Sequence, residues 1–206
     1  MKGPTRAFWQ ERFVEARTPW DRGAANPQLA RWIDSGVLAP CRILVPGCGS
    51  GHEVAALARQ GFEVSGLDYA PAALAHTRRR LDEQRAAATL IEADALEWHS
   101  PAPFDAIYEQ TCLCAIHPDG WLRYAEQLAG WLRPDGRLFA LFMQVPRPGA
   151  AEGRIEGPPY HCDINAMRAL FPEPRWSWPP PPYERVPHPE NWFELAVVLA
   201  PRAASS

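Results

Sequence analysis

Three groups of residues in this chain have the types and spacing to hold a polar organic ligand. The first is Gly47-Cys48-Gly49-Ser50-Gly51, directly after the apolar run Ile43-Leu44-Val45. Glycine tolerates positive φ and lets a ligand approach the backbone with no β-carbon in the way. Cys48 reads as a small residue filling the tight turn, and a helix starting at Gly51 offers free N–H groups. The second is Asp68, which ends the next apolar run about 20 residues on, where a carboxylate accepts the hydroxyls of a ribose in nucleotide-binding α/β folds. The third is Glu92-Ala93-Asp94-Ala95, after a third run. Asp94 there could accept a hydrogen bond from the exocyclic amine of an adenine. Either acid alone would read as an exposed loop charge. The order of glycine loop, acid and acid is what carries the ligand reading. His52 stands where the dinucleotide pattern G-x-G-x-x-G has its third glycine, which weakens a pyrophosphate ligand. A ligand with a ribose and no phosphate fits better. S-adenosylmethionine (AdoMet) would lay its amino-acid end over the loop and its ribose on Asp68.

These groups must be held by strands and helices in alternation. The pattern predicts helices over 7–16 and 26–34, a strand over 41–45, a helix over 51–60 and a strand over 62–67. A long helix follows from Pro71, with Arg78, Arg79 and Arg80 on a solvated face. Strands are expected at 89–92, 104–108, 137–144 and 192–199, with helices at 118–133 and 163–171. Pro134-Asp135-Gly136 reads as a turn, and the prolines at 179–182 as a rigid connector before the last strand. Strands alternating with helices imply a mostly parallel α/β sheet, whose ligands sit beyond the carboxyl ends of the strands.

Composition limits the alternatives. The chain has 206 residues, 47% of them hydrophobic, and a net charge of −3. That suits one domain with a substantial core. It lacks the basic footprint of a nucleic-acid binder. No apolar run reaches the roughly 20 residues of a membrane span, and the N-terminus has no secretory pattern. A cytoplasmic protein, monomeric and with no membrane partner, is expected. The five cysteines read as reduced thiols. Cys112-x-Cys114 has no matching second pair, so no metal site is expected. His52 and His117 read as a helix-start and a turn residue.

The segments LVPGCGSGHE, GLDYA, FDAIYEQTCLCAIHP, LRPDGRL and GPPYHC, with the N-terminal FWQERFVEARTPWDRGAANPQL, resemble the thiopurine S-methyltransferase superfamily. The resemblance spans residues 8 to 172 and takes in the bacterial thiol and plant halide/thiocyanate methyltransferases. It implies a Rossmann-like class I AdoMet-dependent fold: a mostly parallel seven-stranded sheet with flanking helices and an N-terminal helical lid. On that pattern residues 1–36 form the lid, 41–145 the cofactor core and 146–206 a proline-rich acceptor side. Trp9, Phe13 and Trp20 become lid aromatics over the sulfonium cation. Gly47, Cys48, Gly49, Gly51, Asp68, Tyr69, Asp94 and Ala95 become cofactor positions. Glu109 and Gln110 match a pair that closes the methyl-transfer region, where plant halide enzymes carry Asp-Tyr and mammalian thiopurine enzymes Asp-Arg. Tyr160 and Arg185 would face the acceptor.

The expected reaction is one-step methyl transfer from AdoMet, leaving S-adenosylhomocysteine, to a small soft nucleophile such as a thiol, thiocyanate, sulfide or halide. Such nucleophiles need no strong base, although Glu109 with a raised pKa could deprotonate a thiol. The competing readings are an N- or O-methyltransferase of a small metabolite, a nucleotide-dependent oxidoreductase, and an AdoMet-binding module without activity.

Overall fold

A computed structural model describes residues 3–202. Residues 1–2 of the expected lid region and 203–206 of the expected acceptor region lie outside the described residues. Two short helices come first: α1 (Arg6–Val14) and α2 (Pro27–Asp34). Asn26 starts α2 as its sequence suggests: its Oδ1 accepts from Gln28 N–H at 2.9 Å, with proline at the first helical position. Then β1 (Arg42–Pro46), α3 (His52–Arg59), β2 (Glu63–Asp68), α4 (Pro71–Gln84) and β3 (Thr89–Glu92) alternate. They are followed by β4 (Phe104–Gln110), α5 (Trp121–Trp131), β5 (Leu132–Gln144), α6 (Ile164–Leu170), β6 (Trp176–Ser177), β7 (Glu184–Pro187) and β8 (Phe193–Pro201).

The strands form one sheet in the order β3-β2-β1-β4-β5-β8. The first four pairings are parallel, and β8 runs antiparallel to β5. On its other edge β8 meets β7 over residues 193–196 and β6 at 200–201. The sheet thus has eight strands where seven are expected. The additional pairing comes from the two-residue β6, and neither β6 nor β7 announces itself in sequence. β7 contains proline and is short, as an edge strand can be. β5 begins earlier than expected, at Leu132. Phe104 pairs with Leu132 but Ala106 pairs with Arg137, so the Pro134-Asp135-Gly136 turn survives as an excursion inside the strand.

The side-chain period of two along β5 divides the core between the two sheet faces. Leu138, Ala140 and Phe142 join Tyr124, Leu128 and Trp131 on one side. Phe139 and Leu141 lie on the other with Trp32 of α2. The Trp32 ring is edge-on to Phe139 at 5.2 Å and to Tyr108 at 6.0 Å. Fully burying side chains of this size contributes about 1.5–3 kcal/mol each. It fixes where the carboxyl ends of β1 to β5 emerge. Strand order reverses between β1 and β4, which places the crevice for a ligand at the ends of these two strands.

Candidate active site

A cavity of about 850 Å³ opens there, within the range of pockets that hold small ligands. Its floor at one end is the glycine loop. Gly47, Gly49 and Gly51 all have positive φ, at 60°, 53° and 74°. A β-carbon on Gly47 would lie 2.8 Å from Cβ of Cys112, and one on Gly51 would lie 2.5 Å from Cγ2 of Thr77. Conformation and space therefore both demand glycine at these two positions. Thr77 Oγ1 donates to the Gly49 carbonyl at 2.9 Å and ties the loop to α4.

Asp68 braces the loop from the end of β2. Its Oδ2 accepts from Gly49 N–H at 3.0 Å and its Oδ1 from Ala70 N–H at 2.9 Å. Burial raises its pKa, opposed by the N–H groups of Ala70, Gly49 and Tyr69. A carboxylate has about four lone-pair sites, so these backbone bonds leave capacity for a ribose hydroxyl. Beyond β3, Asp94 Oδ1 accepts from Leu96 N–H at 2.8 Å, which holds its carboxylate beside the cavity.

The lid closes the same end. Trp20 stands edge-on to Trp9 at 5.5 Å and to Phe13 at 6.1 Å. The Phe13 ring comes within 3.4 Å of where a β-carbon on Gly49 would sit. Gln10 Oε1 accepts from Ala72 N–H at 2.9 Å, and Arg6 pairs with Glu92, so α1 is fastened to α4 and β3. All eleven residues assigned to the cofactor in sequence line this cavity: Trp9, Phe13, Trp20, Gly47, Cys48, Gly49, Gly51, Asp68, Tyr69, Asp94 and Ala95. A loop of three glycines at positive φ, a carboxylate with acceptor capacity beside it and aromatic rings over it fit AdoMet.

The acceptor assignments fare differently. Gln110 lines the cavity, but its amide is engaged: Oε1 accepts from Tyr108 O–H at 2.9 Å, and Nε2 lies 3.4 Å from Glu194 Oε1. Glu109 does not line it. The strand period turns its side chain to the opposite face, where Oε1 accepts from Leu113 N–H at 2.6 Å and steadies the turn after β4. Burial pushes its pKa up to about 8. Tyr160 also lies behind the cavity wall, its ring edge-on to His117 at 5.3 Å and its N–H donating to the Cys114 carbonyl at 2.7 Å. Arg185 is exposed on β7, its guanidinium stacked over Phe193 at 3.7 Å. Glu109, Tyr160 and Arg185 are thus not among the residues that line this cavity.

Other residues make that end. Thr111, at the tip of β4, has φ of 61°, an outlier for a β-branched residue and a mark of functional sites. Past the end of β5 stands Arg147, and before the start of β8 stand His188 and Trp192. The register that pairs Gln144 with Phe193 brings these two stretches together. Arg22 reaches in from the lid side: Nη2 donates to the Pro187 carbonyl at 2.5 Å and lies 3.4 Å from Glu194 Oε2. Glu194 is fully buried; burial lifts its pKa to about 7, against the pull of Arg22, Gln110 and Asn26. His52, at the start of α3, has Nε2 2.8 Å from Asp21 Oδ1, which joins the cofactor helix to the lid segment. Cys48, Cys112 and Cys114 also line the cavity, and burial first of all raises all three thiol pKa values. In sequence Arg147 and His188 are single residues among prolines and Arg22 follows an aspartate in the N-terminal segment, with no spacing that marks any of them.

Among the described residues no helix is long and apolar enough to cross a membrane, and no group of three or more His, Cys, Asp or Glu side chains is arranged to hold a metal.

Comparison with known proteins bears on both fold and chemistry. Solved structures share the architecture. The N-methyltransferase NodS from Bradyrhizobium japonicum WM9, in complex with S-adenosyl-L-homocysteine, superposes with a TM-score of 0.74 at 17% identity, covering 97% of this chain and 100% of that one. The 1,6-didemethyltoxoflavin-N1-methyltransferase of Burkholderia thailandensis gives 0.73 at 18% identity, covering 98% and 93%. In sequence, thiocyanate methyltransferase 1 of Arabidopsis thaliana is 33% identical over 165 residues, 79% of this chain and 70% of the relative. The thiopurine S-methyltransferase of Azotobacter vinelandii is 28% identical over 183 residues, 80% of each. The sequence profile of the thiopurine S-methyltransferase family matches residues 4–178. The chain belongs to the thiopurine S-methyltransferase family and is an AdoMet-dependent methyltransferase.

Proposed function

We propose that the protein methylates a small soft nucleophile that arrives as an anion: a thiolate, sulfide, thiocyanate or halide. The chain acts as one domain, with residues 1–36 as lid, 41–145 as cofactor core and 146–206 as acceptor side. The observation that carries the reading is the chemistry of the acceptor end. The carboxylate best placed in sequence to act as base, Glu109, is turned away and holds a backbone N–H. The groups that do line that end include the guanidiniums of Arg22 and Arg147 and the imidazole of His188. Both imidazoles there, His117 and His188, use Nδ1 to accept a backbone N–H, from Asp119 at 3.2 Å and Glu190 at 3.3 Å. An end dominated by donors suits an acceptor that needs orientation and charge compensation rather than proton removal.

Bound AdoMet supplies the activated methyl group. The chain's own share is to hold the ribose on Asp68, cover the sulfonium with Trp9, Phe13 and Trp20, exclude water and align the acceptor. Alignment alone is worth up to about 7–11 kcal/mol in well-oriented systems, and a dry site strengthens every charge interaction in it. The Arabidopsis relative is a thiocyanate methyltransferase, in keeping with a soft anion as acceptor here.

The test is formation of S-adenosylhomocysteine by the purified protein with AdoMet and a panel of thiols, sulfide, thiocyanate and iodide. Turnover of at least one is expected. Methylation of amines or hydroxyl acceptors only, with AdoMet still raising the melting temperature, would overturn the proposal.

A further inference from the structure

His188 presents an unusual combination. It is buried, its ring stacks on Trp192 with centroids 5.6 Å apart and planes 21° from parallel, and its Nε2 has no hydrogen-bond partner. Its Nδ1 accepts from the Glu190 N–H, which puts the proton on Nε2. Burial and the Arg22 charge depress its pKa to about 4, so at neutral pH the ring is uncharged and Nε2–H is a donor with nothing to donate to. Arg147 has its guanidinium 5.5 Å from the same indole. Its Nη2 donates to the Pro159 carbonyl at 2.6 Å, while its Nε is buried without a partner. Among the described residues no carboxylate forms an ion pair with Arg147, whereas Arg22 Nη2 lies 3.4 Å from Glu194 Oε2. Arg22 Nε is another such atom. Buried donors are paired in the great majority of structures. Of the other cavity-lining residues with such a nitrogen, Arg12 lies on α1 and His52 Nε2 faces Asp21. Arg22, Arg147 and His188 instead come together at the acceptor end, Arg22 on the Pro187 carbonyl and the other two against Trp192, and their unpaired N–H groups point to a polar ligand group there.

We propose that Arg147, His188 and Arg22 form a clamp for a carboxylate, and that the acceptor is an organic thiol bearing one. This rests on the reading that the protein methylates soft nucleophiles, and it selects within that class. A carboxylate offers two oxygens and about four lone-pair sites, can take an arginine in a bidentate fashion, and forms its strongest hydrogen bonds with charged donors. A halide has no second group to meet these donors once its single atom faces the methyl, and thiocyanate has only its terminal nitrogen. Glu190 also lines this end, but its side chain is exposed, so its charge is screened by water. In the reaction the thiol proton leaves to solvent. The thiolate lone pair forms the new S–C bond as the methyl C–S bond of the sulfonium breaks, and that bond's electron pair stays on the sulfur of S-adenosylhomocysteine. The carboxylate is unchanged and serves only to orient.

The experiment compares kcat/KM for 3-mercaptopropionate and for its methyl ester, a neutral thiol of the same reach, on the full chain with AdoMet. The acid is expected to win by about tenfold or more, as hydrogen bonds to a charged group would give. Arg147→Met should bring the acid/ester ratio close to one, chiefly through KM for the acid. Arg147→Lys should restore part of the preference. His188→Phe keeps the stack on Trp192, removes the donor and should lower the ratio by several-fold. A thermal shift with AdoMet in each variant reports that the fold and the cofactor end persist. Equal turnover of acid and ester by the unaltered protein, or an unchanged ratio in Arg147→Met, would overturn the clamp. Turnover of iodide or thiocyanate with neither thiol methylated would overturn the clamp and leave the soft-nucleophile function standing. Silence with every soft nucleophile, while AdoMet still binds, would remove that function and the clamp with it.

Discussion

The two ends of the cavity are built from different materials. At the cofactor end the ligand surface is largely backbone: three glycines at positive φ, the loop after β2 and the turn after β3, braced by Asp68 and Thr77. At the acceptor end it is side chain: Arg22, Thr111, Arg147, His188 and Trp192, from four places in the chain. Backbone curvature is difficult to change without refolding, whereas side chains on connecting segments change singly. A family can thus keep one cofactor and exchange acceptors, because specificity is set where substitution does least harm to the fold.

If that contrast is right, substitutions at the cofactor end should disturb binding and stability most. Asp68→Ala removes the acceptor for two backbone N–H groups and for a ribose hydroxyl. AdoMet binding, measured by calorimetry, should weaken by about 100-fold, corresponding to the ~1.5–3 kcal/mol of hydrogen bonds to a charged group. Undiminished affinity would remove the ribose assignment. Gly47→Ala forces a β-carbon to 2.8 Å from Cys112 in a left-handed conformation. A loss of about 1–2 kcal/mol of stability from the conformation alone, with more from the clash, should appear in denaturant unfolding. Trp20→Ala opens the lid and deletes two edge-on aromatic pairs worth about 0.5–1.5 kcal/mol each. A KM for AdoMet raised roughly tenfold, with a smaller change in kcat, would match a cover that serves chiefly to bind.

Glu109→Gln should do least to the chemistry, and so sharpens the comparison from the other side. A kcat within about threefold of the parent is expected, since the amide oxygen can still accept from Leu113 N–H. A fall of 100-fold would restore Glu109 as the base. The same variant carries a signature in stability. Glu109 titrates at about 8 and Glu194 at about 7 in the folded protein, above the usual glutamate value of about 4.3 in an unfolded chain. Between those limits the folded state binds more protons at these two groups, so the stability they contribute should be full below pH ~4.5 and be lost as pH rises toward ~8. Melting temperature against pH should show that slope, and Glu109→Gln should flatten its upper part.

The same division decided what could be read in advance. Glycines, Asp68 and Asp94 follow strands at fixed offsets, so their order and spacing make them candidates, and the lid aromatics lie in one segment that resembles the family. The doubly wound sheet was legible for a related reason, because alternating apolar runs encode it locally. The acceptor end depends instead on antiparallel register. Arg147 meets Trp192 because Gln144 pairs with Phe193, and no local pattern states that pairing. Glu109 shows the limit of such reading. It neighbours Gln110 in sequence, but one residue along a strand is the other face of the sheet. Tyr160 and Arg185 were placed by resemblance, which carries positions but not the directions of side chains. β7 is four residues long, and its one proline with the proline run before it has the character of a loop.

Three thiols stand in the wall of the cavity proposed to take AdoMet, an alkylating agent. Cys48, Cys112 and Cys114 are themselves soft nucleophiles once ionised, and an exposed cysteine at this spot would compete with the substrate. Burial holds all three protonated, and the thiolate is the reactive form. The apolar packing that closes the core therefore also protects the catalyst from its own reagent. An intact mass that gains no methyl group after long incubation with AdoMet alone is the corresponding expectation, and each substitution that lets water reach these sulfurs should shorten the working life of the enzyme.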